Sequence, residues 1–330
     1  MATIKDVAKE ANVAISTVSN VLNNVDIVSE KTREKVLEAA KKLNYVPNLN
    51  GKFLKQTRLN VLGLFLTNVE GPFYNQLIGA MHSECRKFGY GLTVFLNDAN
   101  NVEESIQAIL GKRVDGAIIL NETIKDNHIE ILSKFDMPIV FLDRKIEYQN
   151  LKSVVIDNFG GIKLAMEYLI SQGITKFGYV HGVSNNYDQL QRYAGYKEIL
   201  LSNGFLVDER FEIRGEYYEE AAFAAMNEYI KGKNELPQAF VAANDQMAIG
   251  CIEALRENGF DVPKDVLIVG FDNIEPSKYY GLTTVDICAE QIGEVAVNII
   301  DNILSGKKPP NTEVPIKLIC RSSTMLQLEK

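Results

Sequence analysis

Apolar positions at the start of the chain recur with the period of an α-helix. Ile4, Val7, Ala8 and Ala11 fall at i, i+3, i+4 and i+7 and therefore share one helical face. This pattern predicts a short amphipathic helix over residues 4 to 11, whose apolar face needs a partner.

A second apolar stripe, formed by Val18, Val21 and Leu22, follows the short break Asn12-Val13. The break is too short for a long loop, so the pattern predicts two short helices joined by a tight turn, a helix-turn-helix. Ser29 is the expected N-cap of a third helix. The predicted buried side of that helix consists of Val36, Leu37, Ala40 and Leu43.

The free face of the second helix is rich in short polar side chains. It consists of Ile15, Ser16, Thr17, Ser19, Asn20 and Asn23. Hydroxyl and amide groups hydrogen-bond base edges and phosphates in a major groove, so this face predicts DNA contact. The alternative is that the same groups only solvate an exposed helix.

From Val61 onward, short apolar strands alternate with amphipathic helices. The predicted strands are Val61–Leu66, Leu92–Leu96, Gly116–Leu120, Pro138–Leu142, Val154–Asp157, Phe177–His181, Ala239–Ala243 and Leu267–Phe271. The predicted helices include Asn75–Phe88, Gly161–Ser171, Leu190–Leu201, Glu219–Ile230 and Gln246–Asn258. Nearly all-apolar strands with helices between them indicate parallel sheets covered on both faces, in a two-lobed α/β body.

Composition narrows the class of protein. A chain of 330 residues with 46% hydrophobic content can bury a substantial core. The sequence has no signal-peptide pattern and no apolar run long enough for a membrane span, so we expect a soluble, cytoplasmic protein with no membrane partner. Four widely spaced cysteines and three histidines favour structural thiols over disulfides or a metal site.

The charge is distributed unevenly along the chain. Residues 1 to 60 carry ten Lys and Arg against six Asp and Glu, a net charge of +4, whereas the whole chain is at −8 and the remainder at −12. A basic head on an acidic body is expected when one end of a protein lies on phosphate groups.

A series of short motifs in the head resembles the N-terminal domain of LacI/GalR-type bacterial repressors. They are Thr3-Ile4-Lys5-Asp6-Val7-Ala8, Thr17-Val18-Ser19, Val28-Ser29, Lys31-Thr32-Arg33, Lys35-Val36 and Leu43-Asn44-Tyr45-Val46-Pro47-Asn48. The resemblance continues to the C-terminus and implies a ligand-controlled DNA-binding repressor with a body like that of the periplasmic binding proteins.

The resemblance also implies a role for the linker at residues 46 to 60. In that family the linker becomes a short hinge helix on the operator, and a leucine from each subunit enters the central minor groove; Leu54 matches that leucine. An apolar wedge of this kind kinks the duplex. The residues that we predict to contact DNA are Ile4, Ile15, Ser16, Thr17, Ser19, Asn20, Asn23, Thr32, Asn48, Lys52 and Leu54.

This sequence departs from the family pattern at several positions. Asn20 stands where an arginine is common, Ala14 where a serine or threonine N-cap is common, and Gly51 where an alanine begins the hinge. Ile287 stands where a glutamine is common. We therefore expect a different operator half-site, a hinge that folds less readily by about 1 kcal/mol at Gly51, and a less polar cleft or a different ligand.

Polar and aromatic side chains follow the predicted strands. Ligands of such folds bind in the crevice outside the carboxyl ends of the strands. The residues that we predict to contact the effector are Phe73, Tyr74, Asp143, Arg144, Arg192, Tyr217, Asn244 and Asp272. Carboxylates, a guanidinium and aromatic faces are the groups that bind a sugar. We assign Asp157 and Asp245 instead to helix capping, and His128 and His181 to structure.

Enzyme functions find little support. The chain has no GxGxxG or P-loop pattern and no Ser/His/Asp spacing, and a glycosidase built on Asp143 and Asp272 conflicts with the DNA-binding head. A solute receptor also conflicts with the helix-turn-helix. The sequence predicts a homodimeric regulator on inverted-repeat DNA, without a cofactor, controlled by a sugar or sugar phosphate that is an inducer or a corepressor.

The sequence predicts three segments. They are a helix-turn-helix domain at 1–45, a hinge at 46–60 and an effector-binding and dimerisation domain at 61–330. Within the last, we predict a first lobe of about 61–160 plus 290–320, and a second lobe of about 161–289 plus the C-terminal tail. A helix at Gln291–Leu304 and a strand at Val314–Leu318 are both predicted to return to the first lobe.

Overall fold

The structure is a computed structural model that describes residues 2–23, 25–45, 58–232, 235–309 and 314–325. Its contacts divide the chain into two compact units, residues 1–59 and residues 60–330. In the described residues, no helix is both long and apolar enough to cross a membrane.

The first unit contains the helices α1 (Ile4–Glu10), α2 (Ile15–Leu22) and α3 (Glu30–Lys42). Thr3 caps α1 reciprocally with Asp6: the Asp6 amide donates to Thr3 Oγ1, and Asp6 Oδ2 accepts the Thr3 amide at 2.8 Å. The tight turn to α2 passes through Asn12, whose φ of 52° lies in the left-handed region that asparagine tolerates. The predicted helix-turn-helix and third helix are confirmed.

The core of the first unit is made of small side chains. Its buried members are Val7, Ala8, Ala11, Val18, Val21, Val36, Ala39 and Ala40. Leu37, predicted to be buried, is instead 50% exposed, because α3 turns its Val36, Ala39 and Ala40 face inward and position 37 lies about 100° further round the helix.

The second unit contains two sheets. The first has the strand order β2-β1-β3-β4-β5, with β1 (Val61–Leu66), β2 (Gly91–Leu96), β3 (Gly116–Leu120), β4 (Ile139–Leu142) and β5 (Leu151–Val154), all parallel. Its helices in chain order are α4 (Pro72–Lys87), α5 (Val102–Leu110) and α6 (Asp126–Ser133). We call this sheet with its helices the first lobe.

The second sheet, with its helices, forms the second lobe. Its strand order is β11-β10-β9-β8-β6-β7, with β6 (Phe177–His181), β7 (Glu212–Arg214), β8 (Ala239–Ala242), β9 (Leu267–Asp272), β10 (Thr283–Asp286) and β11 (Lys317–Ile319). Its helices are α7 (Asn158–Ser171), α8 (Tyr187–Ser202), α9 (Glu219–Lys231), α10 (Asp245–Glu257) and α11 (Glu275–Tyr279). The predicted two-lobed α/β architecture is confirmed.

The last long helix, α12 (Ala289–Leu304), returns to the first lobe as predicted. It packs against α4 and against the first sheet. Gly293 approaches α4 so closely that an added Cβ would lie 3.1 Å from the carbonyl oxygen of Leu77. A side chain at this position would therefore force the two helices slightly apart.

The strand predicted at Val314–Leu318 is wrong in its bounds and in its lobe. Strand β11 pairs antiparallel with β10, in the second sheet. The residues after it anchor it there: the Ser323 hydroxyl donates to the Ile268 carbonyl oxygen at 2.7 Å, and Arg321 Nη1 donates to the Leu282 carbonyl oxygen at 2.7 Å. These buried polar groups find their partners only on the second lobe.

The strand predicted at Val154–Asp157 is displaced. Strand β5 spans Leu151–Val154 at the edge of the first sheet, and its middle residues Lys152 and Ser153 are polar. Asp157 is unavailable for the strand because its carboxylate accepts the Gly160 amide at 2.8 Å and caps α7. The predicted capping role of Asp157 is therefore confirmed.

Candidate functional site

The exposed surface of α2 and the residues around it form the candidate DNA interface. Ser16 and Asn23 are exposed, Ile15 is 46% exposed, and Thr17, Ser19 and Asn20 are half-buried. An isoleucine so exposed at the start of a short helix is available for apolar contact with a thymine methyl group. The face predicted from the sequence is therefore accessible.

The start of α2 suits a phosphate group. Ala14 occupies the N-cap position, and no side chain bonds to the first amides of the helix. Those amides keep their hydrogen-bonding capacity for an external acceptor, and the helix dipole favours an anion there. The first turn also contains no acidic side chain that would repel the phosphate.

The other predicted DNA contacts have different surroundings. Ile4 is partly buried against the head core. The Thr32 hydroxyl lies 2.9 Å from that of Ser29, which is the backbone N-cap of α3 but makes no capping hydrogen bond. Asn48, Lys52 and Leu54 lie outside the described residues.

A cavity of about 560 Å³ lies between the two lobes of the body. It collects side chains from the carboxyl ends of β1, β3, β4, β8 and β9 and from the first turns of α4 and α8. Seven of the eight predicted effector residues line it: Phe73, Tyr74, Asp143, Arg192, Tyr217, Asn244 and Asp272. This volume is within the usual range of small-molecule sites.

Arg192 is the buried charge at the floor of the cavity. Its Nε donates to Asn158 Oδ1 at 2.8 Å, its Nη1 donates to the Ala243 carbonyl oxygen, and its Nη2 lies 3.6 Å from Asp272 Oδ1. The guanidinium also stacks on the Phe271 ring at 3.8 Å. Only 5% of its side chain is exposed, so its orientation is fixed before a ligand arrives.

Asn158 joins the two lobes and was missed in the sequence. Its Nδ2 donates to Asp143 Oδ1 at 2.8 Å while its Oδ1 accepts from Arg192. Asp143 follows the first-lobe strand β4, and Arg192 lies on the second-lobe helix α8. Because the Asn158 side chain bonds to Asp143 and to Arg192, a movement of one of these residues displaces the amide to which the other is bonded. The sequence signal that could have identified Asn158 is its position next to Asp157, the residue that caps α7.

Several cavity residues have unusual backbone conformations. Asp143, Glu216 and Tyr217 have φ values of 49°, 51° and 68°, and Asp272 has a φ of 110°. Positive φ is costly for residues with a side chain and is concentrated in proteins at ligand-binding positions. The backbone here is shaped to aim these side chains into the cavity.

Burial perturbs the cavity carboxyls. Desolvation, with the charge of Asp188 second, raises the pKa of Asp143 to about 8. Desolvation also raises the pKa of Asp272 well above its usual range, against the lowering effect of Arg192. Both carboxyls therefore hold a proton more tightly than aspartates in water do.

Arg144 is not among the residues that line the cavity. Its Nη1 donates to the Ile124 carbonyl oxygen at 2.8 Å, and its Nη2 lies 2.6 Å from Asp126 Oδ1. Because Asp143 adopts a left-handed conformation, the chain turns there and directs the next side chain towards α6. The prediction that both neighbours face one ligand is not supported by this geometry.

Asp245 does not cap its helix, contrary to prediction. Asn244 is the N-cap of α10: its Oδ1 accepts the Met247 amide at 2.9 Å, and its Nδ2 donates to the Tyr217 carbonyl oxygen at 3.2 Å. Asp245 is fully buried and accepts from Ser277 Oγ at 2.6 Å and Thr284 Oγ1 at 2.5 Å. It therefore joins the ends of β8, β9 and β10.

Sequence reasoning also missed four acids in the cavity, Glu70, Glu122, Asp188 and Glu216. Glu122 follows β3, so the strand-end rule could have found it. Asp188 lies in the first turn of α8, one turn before Arg192, and the Tyr217 hydroxyl donates to its Oδ2 at 2.5 Å. His128 and His181 bond to Glu103 and Glu212 respectively, away from the cavity, as structural histidines do.

A helix-turn-helix head followed by a two-lobed body with a cavity between its lobes is the architecture of a DNA-binding regulator with an effector-binding domain. Comparison with known proteins agrees. The family described as bacterial regulatory proteins, lacI family, matches residues 3–48, and the periplasmic binding protein-like domain matches residues 166–324.

Relatives align along almost the whole chain. RegA, an HTH-type transcriptional regulator of Clostridium saccharobutylicum, is 32% identical over 329 residues, which cover 98% of this chain and 99% of the relative. PurR, an HTH-type transcriptional repressor of Haemophilus influenzae, is 35% identical over 309 residues, covering 91% and 90%. The chain belongs to the lacI family of bacterial regulatory proteins.

Solved structures show the same architecture. The lac repressor dimer bound to operator and the anti-inducer ONPF has a TM-score of 0.83 at 27% identity, covering 98% of this chain and 99% of that one. The complex of the transcriptional regulator CelR with cellobiose has a TM-score of 0.71 at 26% identity, covering 98% and 100%. This chain is a DNA-binding transcriptional repressor with an effector-binding domain, and not an enzyme.

Proposed function

We propose that this repressor acts as a homodimer on inverted-repeat DNA in the bacterial cytoplasm, and that a carbohydrate without a phosphate group releases it. The observation that carries the proposal is the lining of the cavity. Carboxylates and amides can hydrogen-bond vicinal hydroxyls, and aromatic faces can pack on a sugar ring. CelR, a regulator of similar structure, forms a complex with the sugar cellobiose, which supports the proposal.

The charge of the cavity separates the two ligand classes predicted from the sequence. Six carboxyl groups line the cavity, those of Glu70, Glu122, Asp143, Asp188, Glu216 and Asp272, and Arg192 is the one basic side chain among the described lining residues. A phosphate ester would meet like charge and only one, already bonded, guanidinium. This disfavours a sugar phosphate.

Direct contacts across the cavity support coupling between ligand and lobe closure. Asn68 of the first lobe donates to the Tyr218 hydroxyl of the second at 3.4 Å. Gly71 lies so close to Gln246 that an added Cβ would come 2.6 Å from its Oε1. A ligand that prefers one separation of the lobes shifts their equilibrium by its differential affinity, typically 1 to 3 kcal/mol.

The dimer proposal is supported by the edge of the first sheet. Strand β2 is an outer strand, its sequence Gly91–Leu96 contains no charged residue, and Val94 and Leu96 are 37% and 49% exposed. An uncharged, apolar edge strand is normally covered by a partner. The lac repressor, whose structure on operator DNA is that of a dimer, provides the precedent for two copies.

The test is fluorescence-anisotropy titration of the full chain onto the inverted repeat nearest its own gene, with sugars, sugar phosphates and nucleobases added. We expect one non-phosphorylated sugar to weaken DNA binding at least about fivefold. A ligand that tightens binding would identify a corepressor instead. Loss of affinity with a sugar phosphate alone would contradict the charge argument.

A second titration tests the DNA interface. Asn20→Ala should lower operator affinity about tenfold or more, since a base contact contributes about 1 to 3 kcal/mol. Glu38→Gln, an exposed change on α3, is the matched control and should leave sequence preference unchanged. Equal affinities of both variants and the wild type would exclude Asn20 from base contact.

A further inference from the structure

The acidic surplus of the cavity is concentrated where the two lobes face each other. Asp188 lies on the second lobe, and its negative charge raises the pKa of residues that lie on the first. Desolvation, then Asp188, raise the pKa of Glu122 to about 7. Desolvation, then Glu122 and Asp188, raise the pKa of Tyr74 to about 12. The cavity is lined by all four of these side chains, Asp188, Glu122, Asp143 and Tyr74.

Arg192, the one basic side chain among the described lining residues, lowers the pKa of Asp143 but forms its direct bonds elsewhere. Arg192 donates to Asn158 and Ala243 and pairs with Asp272. Asp143 accepts from the neutral amide of Asn158, and Asp188 accepts from the neutral hydroxyl of Tyr217. Among the described residues, no Lys or Arg forms an ion pair with Glu122, Asp143 or Asp188.

Within the part of the chain that the structure describes, six carboxyl groups and one guanidinium line this cavity. Such a surplus of acidic groups costs free energy unless a ligand supplies positive charge. Each buried carboxyl has to hold a proton or face its neighbours ionised. A hydroxyl group of a neutral sugar satisfies the hydrogen bonds but leaves the repulsion. An ammonium group satisfies both, since it has three donors and a positive charge.

We propose that the effector carries a protonated amine, bound between Asp188, Glu122 and Asp143, together with hydroxyl groups that occupy the rest of the cavity, as in an amino sugar. Tyr74 also lines the cavity, and an aromatic ring is a group on which an ammonium ion can pack. This proposal rests on the proposed function, because it takes the cavity between the lobes as the effector site.

The test measures binding of matched ligands to the full chain by isothermal titration calorimetry. The probes are glucosamine, N-acetylglucosamine and glucose, and the β-1,4-linked glucosamine dimer, its N-acetylated form and cellobiose. Within each set only the first carries a charged amine. We expect each amine to bind about tenfold or more tightly than its neutral partners, because hydrogen bonds to charged groups are the stronger ones.

Asp188→Asn keeps the acceptor for Tyr217 but removes the charge. It should cut the preference for the amine over the neutral sugar by about tenfold, and Glu122→Gln should act in the same direction. Glu198→Gln, an exposed acid on the same helix α8, is the control and should retain the full preference. Far-ultraviolet circular dichroism of each variant verifies that it is folded.

The outcomes are distinguishable. If neutral sugars bind as well as or better than their amines, the amine proposal is wrong and the carbohydrate effector stands. If an amine binds preferentially but Asp188→Asn and Glu122→Gln keep the preference, the assigned position is wrong. If no member of the panel binds or changes operator affinity, the amine proposal and the proposed function both fail.

Discussion

The two walls of the cavity differ in how firmly their side chains are held. On the second-lobe wall, Arg192 and Tyr217 are bonded within their own lobe, to Ala243 and Asp188. On the first-lobe wall, Phe73 and Tyr74 pack edge to face, with ring centroids 5.3 Å apart, and the Tyr74 hydroxyl forms no hydrogen bond within the described residues. The side chains of the second-lobe wall therefore hold their positions before a ligand binds. The first-lobe wall, in contrast, has hydrogen-bond donors and charged groups that remain available to a ligand.

This contrast indicates a division of roles. A preorganised wall binds with little loss of conformational freedom and sets which ligand is accepted. A wall with unsatisfied groups gains most when the cavity closes around the ligand. The second lobe would then select the effector and the first lobe would report its presence to the head.

The largest effect is expected for Arg192→Ala. It leaves Asp272 buried without its partner and removes the bonds to Asn158 and Ala243, so it should lower the free energy of unfolding of the body by about 3 kcal/mol or more and abolish the effector response. Urea unfolding and the anisotropy titration measure both effects. Arg214→Ala, an exposed change beside Ser184, should cost under about 1 kcal/mol. Similar losses for both variants would show that the buried bonds of Arg192 do not stabilise the body.

The next effect concerns pH and the first-lobe wall. The pKa of Asp143 is about 8 in the folded protein and about 3.9 when unfolded, so the folded state binds the proton more tightly and stability falls as pH rises from about 4 to about 8. Asp143→Asn, which keeps the acceptor for Asn158 and tolerates the left-handed backbone, should match the wild type near pH 4 and become progressively more stable than it as the pH rises to 8. Parallel pH profiles from urea unfolding would show that Asp143 is not perturbed.

A smaller effect compares one tyrosine from each wall. Tyr217→Phe loses the hydrogen bond to Asp188 and should lower the free energy of unfolding by about 1 kcal/mol in the ligand-free protein. Tyr74→Phe loses no hydrogen bond of the described structure and should leave the stability within about 0.5 kcal/mol. Thermal unfolding of both variants side by side measures the two losses of stability. A larger loss for Tyr74→Phe than for Tyr217→Phe would show that the first-lobe wall is the more firmly held.

The smallest effect is expected for Arg144→Ala. Its guanidinium bonds to Ile124 and to Asp126, whose side chain is exposed, so the change should cost about 1 kcal/mol or less and leave effector affinity unchanged. Calorimetric titration of the variant measures that affinity. A tenfold loss of effector affinity would show that Arg144 contacts the effector, as the sequence had predicted.

Central strands were predictable because burial on both faces leaves them almost purely apolar. Strands β1, β3 and β6 match their predicted bounds, and β8 and β9 differ by one residue at the end. Of the four outer strands of the described sheets, β2 was predicted to within one residue, but the other three were not predictable in the same way. Strands β7 and β11 have three residues each and β5 contains Lys152 and Ser153, so their pairing depends on neighbours distant in sequence.

The cavity was predictable as far as its residues follow apolar strands, as Asp143, Asn244 and Asp272 do. Asp188 and Glu216 follow an N-cap and a short edge strand, and nothing local distinguishes them from surface acids. Similarly, the roles of Asn244 and Asp245 depend on whether Ser277 and Thr284 lie behind them. Only the assembled lobe decides which of two adjacent polar residues caps the helix.

The return of α12 to the first lobe has a consequence for synthesis of the protein on the ribosome. The first sheet is complete at residue 154, yet the helix that packs against α4 is not available until residue 304 has left the exit tunnel. Meanwhile the apolar surface around Leu77 and Met81 stays uncovered while the whole second lobe emerges. A nascent chain with such a surface is prone to aggregation, so chaperone supply during synthesis should affect the yield of folded repressor.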